Sequence, residues 1–311
     1  MTVESTGLTF DSLQPDTKIN ARIWKDDSVE PIAVVQLVHG MAEHIDRYDG
    51  FARSLASRGF VVCGHDHIGH GGSVSSKEHW GHMPMKGGKD ILIADVDMLR
   101  KMMSVRYPGL PHFIFGHSMG SFVTRCYLAR HGQGLAGAIC SGTGNQPAML
   151  SAAGNALCHI IGVFKGATHR SKLVDGMAAG GFNDAIENPR TDVDWLSHNK
   201  ENVDAYLADE RCGFMFSVGA YAALTSMTHE AVTKSCVAAY PKDLPLLYIA
   251  GEQDPVGECG KGVRAAAKLA QDAGMTDVSV KLYPNMRHEI LNEDDKDCVI
   301  DDVASWMQAR L

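Results

Sequence analysis

Phe113-Ile114-Phe115-Gly116-His117-Ser118-Met119-Gly120-Ser121-Phe122 is an apolar run that breaks into Gly-x-Ser-x-Gly and then continues with helical spacing. The pattern predicts a strand, a sharp turn and a helix, with Ser118 at the apex of the turn. Glycines at 116 and 120 let neighbouring backbone pass closely. Such a turn exposes the serine hydroxyl. It also aims the Met119 N–H and the positive end of the helix at the point where an oxyanion would form. Ser118 is therefore the candidate nucleophile, and the Met119 N–H a candidate oxyanion donor. A bare Gly-x-Ser-x-Gly also occurs in accidental turns, but the strand before it and the helix after it select the elbow reading.

Outward from this stretch the chain alternates strands and helices. Residues 7–13 and 19–24 read as an edge hairpin turning at Gln14-Pro15-Asp16. Ile32 to Val38 is a nearly continuous apolar strand, as expected for a strand buried on both faces of a parallel sheet. Further strands are expected at 60–63, 135–140, 244–250 and 278–283, and helices at 48–58, 88–106, 121–131, 261–273 and 297–310. This rhythm implies an α/β fold, a mostly parallel central sheet flanked by helices with right-handed crossovers. It stops between about 144 and 236, where helices and loops rich in methionine, alanine and glycine predict an inserted, mainly helical cap. Residues 1–143 and 237–311 then form the core. The first cap helix, Ala148 to Phe164, sets Met149, Ala153, Leu157, Ile160, Ile161 and Phe164 on one face, and Phe214 and Phe216 add an aromatic cluster. These faces either pack the cap on the core or line an apolar channel above Ser118, since methionine adapts to irregular ligands.

The chain has 311 residues, 45% of them hydrophobic, enough for a substantial core. Its formal charge of −8 carries no basic footprint, which argues against nucleic acid as a partner. Apolar stretches such as Ile32 to Val38 are strand-length, short of a membrane span. Met1-Thr2-Val3-Glu4-Ser5 lacks the regions of a signal peptide, so a cytoplasmic location is expected. Eight scattered cysteines without a Cys-x-x-Cys pair read as reduced, mostly buried thiols, Cys259 among them.

A serine hydroxyl needs a base, and the base needs an orienting acid. Asp254 lies in the loop after the strand 244–250, and His288 in the loop after the strand 278–283. Carboxyl ends of parallel strands are where open α/β folds place their sites. Joint placement makes Asp254 and His288 the expected partners of Ser118. His39-Gly40-Met41, after the strand ending at Val38, offers the Met41 N–H as a second oxyanion donor.

Together these segments resemble the monoglyceride lipase and lysophospholipase-like branch of the α/β-hydrolase serine hydrolases. The resemblance rests on His39-Gly40-Met41-Ala42-Glu43-His44 with Arg47-Tyr48, on Asp66-His67-Ile68-Gly69-His70-Gly71-Gly72-Ser73, on Gly116 to Gly120, on Gly251-Glu252-Gln253-Asp254-Pro255-Val256 and on His288-Glu289-Ile290-Leu291-Asn292-Glu293. It spans about 36 to 293. It implies an α/β-hydrolase fold and a serine esterase acting on monoacylglycerols, lysophospholipids or simple esters, with no metal or organic cofactor. A smaller residue is usual where Met41 stands.

Three other readings are open on the sequence. His65-Asp66-His67-Ile68-Gly69-His70 approaches a His-x-His-x-Asp-His zinc motif, but Gly69 stands where the aspartate would be, and the resemblance implies instead a structural loop in which Asp66 and His70 bond neighbouring backbone. A peptidase or amidase could use the same triad, with Glu201, Asp204, Asp209 or Glu210 of the cap receiving an ammonium group. A non-catalytic ligand-binding protein could retain the fold. The cap is also a candidate for transient contact with a membrane surface, although its first helix is not rich in lysine or arginine. The sequence gives no oligomeric state.

Overall fold

The N-terminal alternating segments pair as the antiparallel strands β1 (Val3–Asp11) and β2 (Lys18–Asp26), longer than the apolar periodicity indicates because polar edge residues continue the ladder. The computed structural model describes residues 3–311, so Met1 and Thr2 of the leader reading lie outside the described residues. Strands β3 (Ala33–Val38), β4 (Phe60–His65), β5 (His112–His117), β6 (Gly137–Ser141) and β7 (Leu246–Gly251) are buried along their whole length, and β8 (Val278–Tyr283) closes the far edge. The sheet order is β1-β2-β4-β3-β5-β6-β7-β8. From β4 to β8 every pairing is parallel. The carboxyl ends of β3, β5, β7 and β8 therefore share one rim, and the candidate site residues follow them.

Helices cover both faces. α1 (Asp49–Ala56) follows β3, α2 (Gly88–Arg106) precedes β5, and α3 (Met119–His131) follows it. Between β6 and β7 there is no strand among the described residues. The segment holds α4 (Ala148–Lys165), α5 (Lys172–Ala179), a 3-10 turn at Asp194–Leu196, α6 (Lys200–Ala208), α7 (Val218–Ala231) and α8 (Lys234–Ala238). α9 (Lys261–Asp272) and α10 (Lys296–Gln308) complete the chain. Leu92 of α2, Val123 of α3, Tyr221 of α7 and Val263 of α9 share one apolar core, while Phe51 of α1 and Val299 of α10 belong to the core on the other face.

Two expectations about the inserted segment change. α7 is a core helix as much as a cap helix, since Ala220, Tyr221 and Met227 are buried with α2 and α3. α4 instead lies outermost, leaving Met149 84%, Val163 81% and Phe164 83% exposed. Leu157 and Ile161 of its face pack against the core beside buried Cys158, while the rest of that face stays open. α4 is also long and apolar enough to cross a membrane, with a mean hydropathy of 1.3 over 18 residues. Ser151, Gly154, Asn155, His159 and Gly162 interrupt any unbroken apolar run, which is why a search for such runs passes over it. Phe214 and Phe216 turn away from the channel reading and pack around His70, with Phe214 stacked on Trp80.

Candidate active site

The elbow forms because nothing larger than hydrogen fits at its two glycines. A Cβ on Gly116 would come within 2.3 Å of the Gly120 carbonyl oxygen, and one on Gly120 within 2.0 Å of the Val38 carbonyl oxygen. Ser118 between them adopts φ 52° and ψ −120°. A non-glycine residue in this region stores on the order of 1–3 kcal/mol of strain, a concentration typical of functional sites. The turn is held by the Ser118 N–H donating to the Ser141 carbonyl at 2.9 Å and by the Ser121 hydroxyl donating to the Ser118 carbonyl at 2.6 Å. Ser118 remains half-buried at the floor of a cavity of about 330 Å³, which also contacts Met41, Met119 and His288. That volume suits a small-molecule site.

His288 and Asp254 meet behind this floor. His288 Nδ1 lies 3.0 Å from both carboxylate oxygens of Asp254, and both side chains are buried. A carboxylate only accepts, so the proton sits on Nδ1 and Nε2 keeps its lone pair. Burial pushes the imidazole pKa down, but the charge and hydrogen bond of Asp254, with the charges of Glu289 and Glu43, carry it above the ordinary 6.5. Asp254 also accepts from the Val256 N–H at 2.9 Å, which fixes its orientation. Gly251 at the end of β7 permits this approach, because a Cβ there would meet the Met286 carbonyl oxygen at 2.1 Å.

The loop after β3 has a distinctive arrangement of donors. The Gly40 N–H donates to Glu43 Oε1 at 2.6 Å, and the Ala42 N–H donates to His70 Nε2 at 3.3 Å. Between them, the Met41 N–H has no partner among the described residues. The Met119 N–H, in the first turn of α3, is likewise without one. The Asp66–Ser73 loop is structural, as its sequence suggests. Asp66 accepts from the Ile45 and Gly72 N–H groups, each at 2.8 Å, and His70 Nδ1 donates to the Ile68 carbonyl at 3.0 Å.

Several residues of the site are given no role by the sequence, although Glu43, Arg47 and Glu289 stand in the segments that carry the resemblance. Arg47 donates to Glu43 Oε2 at 2.8 Å and to both oxygens of Glu289 at 2.6 and 2.7 Å, and all three line the cavity. Burial raises the Glu289 pKa, but Arg47 and Asn202 overcome it and hold this carboxyl down to about 2. From the cap, Trp195 lays its ring 5.0 Å from that of His288. Its turn is tied to the histidine loop by the Glu289 N–H donating to the Leu196 carbonyl at 2.7 Å and by Arg287 donating to the Asp194 carbonyl at 2.8 Å. Cys259, expected to be buried, is exposed because a left-handed turn at 258–259 lifts it off the core.

Glu201, Asp204, Asp209 and Glu210 do not line this cavity. Asp204 pairs with Arg190 at 2.6 Å, Asp209 with His44 at 2.9 Å and Arg211 at 2.8 Å, and Glu210 with Lys77.

Residues 29–295 match the family model Hydrolase_4, described as serine aminopeptidase, S33. The chain is 28% identical to the monoacylglycerol lipase of Mycolicibacterium smegmatis, over 93% of this chain and 92% of that one, and 26% identical to the monoglyceride lipase of Mus musculus, over 93% and 86%. A solved carboxyl esterase from Bacillus coagulans in complex with glycerol superposes with a TM-score of 0.92 at 32% identity, covering 99% of each chain. The family model runs from before β3 to before α10, and the esterase covers nearly the whole chain. The chain belongs to the Hydrolase_4 family and is a serine hydrolase of the α/β-hydrolase fold.

Proposed function

We propose that this protein hydrolyses monoacylglycerols or closely related single-chain acyl esters through an acyl-enzyme formed on Ser118. The observation that carries this reading is the cavity itself. It runs from apolar cap side chains, among them Leu157, Met177 and Leu224, to the Ser118 elbow, and it ends against the charged group Glu43, Arg47 and Glu289. An acyl chain matches the first part, and a small polyol or polar alcohol the second.

In this reading His288 Nε2 takes the Ser118 proton as the hydroxyl oxygen attacks the ester carbonyl. Asp254 holds the imidazole tautomer and stabilises the imidazolium. The N–H groups of Met41 and Met119 stabilise the oxyanion, a role that depends on backbone and not on methionine chemistry. His288 then protonates the departing alcohol, and water, deprotonated by the same imidazole, releases the acid. Residues 144–236 act as a cap over this site, and the exposed apolar side chains of α4 and α5 provide transient contact with a lipid surface. We place the enzyme in the cytoplasm, consistent with its free cysteines.

The family model's description makes an amine-bearing peptide the second candidate. Against it stand Asp204, Asp209 and Glu210, which are paired with cationic side chains, and Glu201, which does not line the cavity. Purified protein should hydrolyse a monoacylglycerol at a rate abolished in Ser118→Ala, and should leave aminoacyl arylamides intact. Arylamide cleavage with no ester turnover would reverse the assignment.

A further inference from the structure

Glu293 follows His288 on the segment between β8 and α10 and is buried, yet the mechanism gives it no role. Its two carboxylate oxygens accept from different segments. Oε1 accepts the N–H of Arg287, the residue before His288, at 2.7 Å. Oε2 accepts the Ser197 hydroxyl at 2.8 Å and the His198 and Asn199 N–H groups at 2.9 and 3.3 Å, all from the cap. Every partner is a neutral donor and both oxygens are used, a set that a carboxylate can accept and an amide cannot. Withdrawing either set would leave a buried charge short of hydrogen bonds, so the two segments are held together.

The cap residues held in this way directly follow the Asp194–Leu196 turn that carries Trp195. The histidine loop grips the same turn through the Glu289 N–H, which donates to the Leu196 carbonyl at 2.7 Å, and through Arg287 Nη1, which donates to the Asp194 and Ser197 carbonyls at 2.8 and 3.2 Å. So fixed, the turn presents the Trp195 ring 5.0 Å from the His288 ring, which also has the His117 ring at 4.7 Å. Order passes on into α6. The Asn199 side chain caps that helix by accepting the Asn202 N–H at 2.8 Å, and Asn202 donates to Glu289 Oε2 at 2.7 Å, returning to the residue after His288. Of the amides flanking His288, that of Glu289 therefore bonds the cap turn directly, and that of Arg287 bonds it through Glu293.

We propose that Glu293 is a positioning residue: its carboxylate buckles the cap turn 194–199 to the histidine loop, seats Trp195 against the His288 imidazole and holds that imidazole in its working orientation toward Ser118. The proposal rests on the reading of Ser118, Asp254 and His288 as the triad. Glu293 does not line the cavity. It acts through the backbone that carries His288 and through the cap side chain laid on it. Small displacements matter here, because a general base misplaced by ~1 Å can lose ~10²-fold in rate. In consequence the cap cannot lift at this turn without loosening the base, and the lifted state is catalytically slack.

The test compares the wild type with Glu293→Gln, which keeps an acceptor for one segment and turns an NH2 group on the other. At a temperature where both are folded, labelling of Ser118 by a small fluorophosphonate should slow ~10–10²-fold in Glu293→Gln. In a Trp195→Ala background the further loss should be far smaller, because both changes act on one arrangement. The Trp195 share of the emission, read as the difference from Trp195→Phe, should drop in the wild type as His288 protonates, since an imidazolium quenches an adjacent indole. That pH step should be absent in His288→Ala and lost in Glu293→Gln. A purely structural glutamate would lower the melting temperature and leave labelling and the emission step in place, and that result would overturn the proposal. So would losses that simply multiply in the double variant. In the wild type, the amides of 197–199 and 287 should exchange with protection matched to within about threefold, as parts of one unit. Freely exchanging 197–199 beside a protected 287 would overturn the bridge even if Glu293→Gln fails to fold. A wild type unlabelled at Ser118 would refute the triad and this proposal with it, whereas a labelled wild type with an indifferent Glu293→Gln refutes this proposal alone.

Discussion

Replacing Glu43 by alanine probes the oxyanion loop without touching the triad. Glu43 is buried; it accepts from the Gly40 N–H at 2.6 Å, from the Tyr48 hydroxyl at 2.9 Å and from Arg47 at 2.8 Å. The substitution leaves the Gly40 N–H unsatisfied, worth about 1–3 kcal/mol. It also strips Arg47 of one of two carboxylates. Because Glu289 still holds Arg47 through two bonds, the total should fall near the lower part of the range for a broken buried pair, about 3–5 kcal/mol. With an unfolding entropy of about 2.1 cal/mol/K per residue, a loss of about 3–4 kcal/mol lowers the melting temperature by roughly 5–6 °C. The effect on turnover is separate. Gly40 anchors the peptide that presents the Met41 N–H, so its release should cost most of one oxyanion donor, ~10²–10³ in kcat with little change in KM. Glu43→Gln keeps an acceptor for Gly40 and should lose no more than ~10-fold, a margin set by the lost charge–charge interaction with Arg47. The assay is steady-state hydrolysis of a soluble ester beside thermal melts of all three proteins. A folded Glu43→Ala enzyme with kcat within twofold of wild type would refute the anchoring of Met41 through Gly40.

Other outcomes follow from the same geometry. In the proposed mechanism the neutral form of His288 is the base, and its pKa is raised above 6.5, so kcat/KM should fall as pH drops through a midpoint above 6.5; a midpoint below that value would contradict the contribution of Asp254, Glu289 and Glu43. Asp254→Asn should leave a folded protein with kcat down by ~10⁴, because the proton on Nδ1 loses its acceptor pair; a loss under tenfold would remove Asp254 from the role of orienting acid. Leu157 lines the cavity from α4. Leu157→Trp should depress kcat/KM for long acyl esters by at least tenfold while sparing acetyl esters, measured across one chain-length series, and an equal loss on both would place the acyl chain elsewhere.

Much of this architecture is legible in the sequence because its causes are local. The glycines at 116 and 120 announce the elbow, since the close approaches they permit admit no side chain, and the continuous apolar strands announce a doubly covered sheet. Asp254 and His288 are found through chain order and strand ends. What escapes the sequence depends on which surfaces meet. The helical spacing of α4 identifies an apolar face but not whether a partner covers it, and the structure leaves Met149 and Phe164 in the open. Arg47 and Glu289 lie 242 residues apart, so no spacing rule links Glu289 to Arg47 and Glu43. The Asp194–Leu196 turn lies between β6 and β7, far in sequence from the histidine loop, and only the fold brings Trp195 over His288. Cys259 follows a left-handed turn that its neighbours do not announce.

The central claim is that Ser118 carries the acyl group, and the direct measurement is the mass of the protein after reaction with a fluorophosphonate. The account predicts one stoichiometric adduct, mapped to the peptide containing Ser118, formed rapidly in the wild type and slowed by orders of magnitude in His288→Ala. An unlabelled Ser118, or an adduct on any other residue, would contradict it.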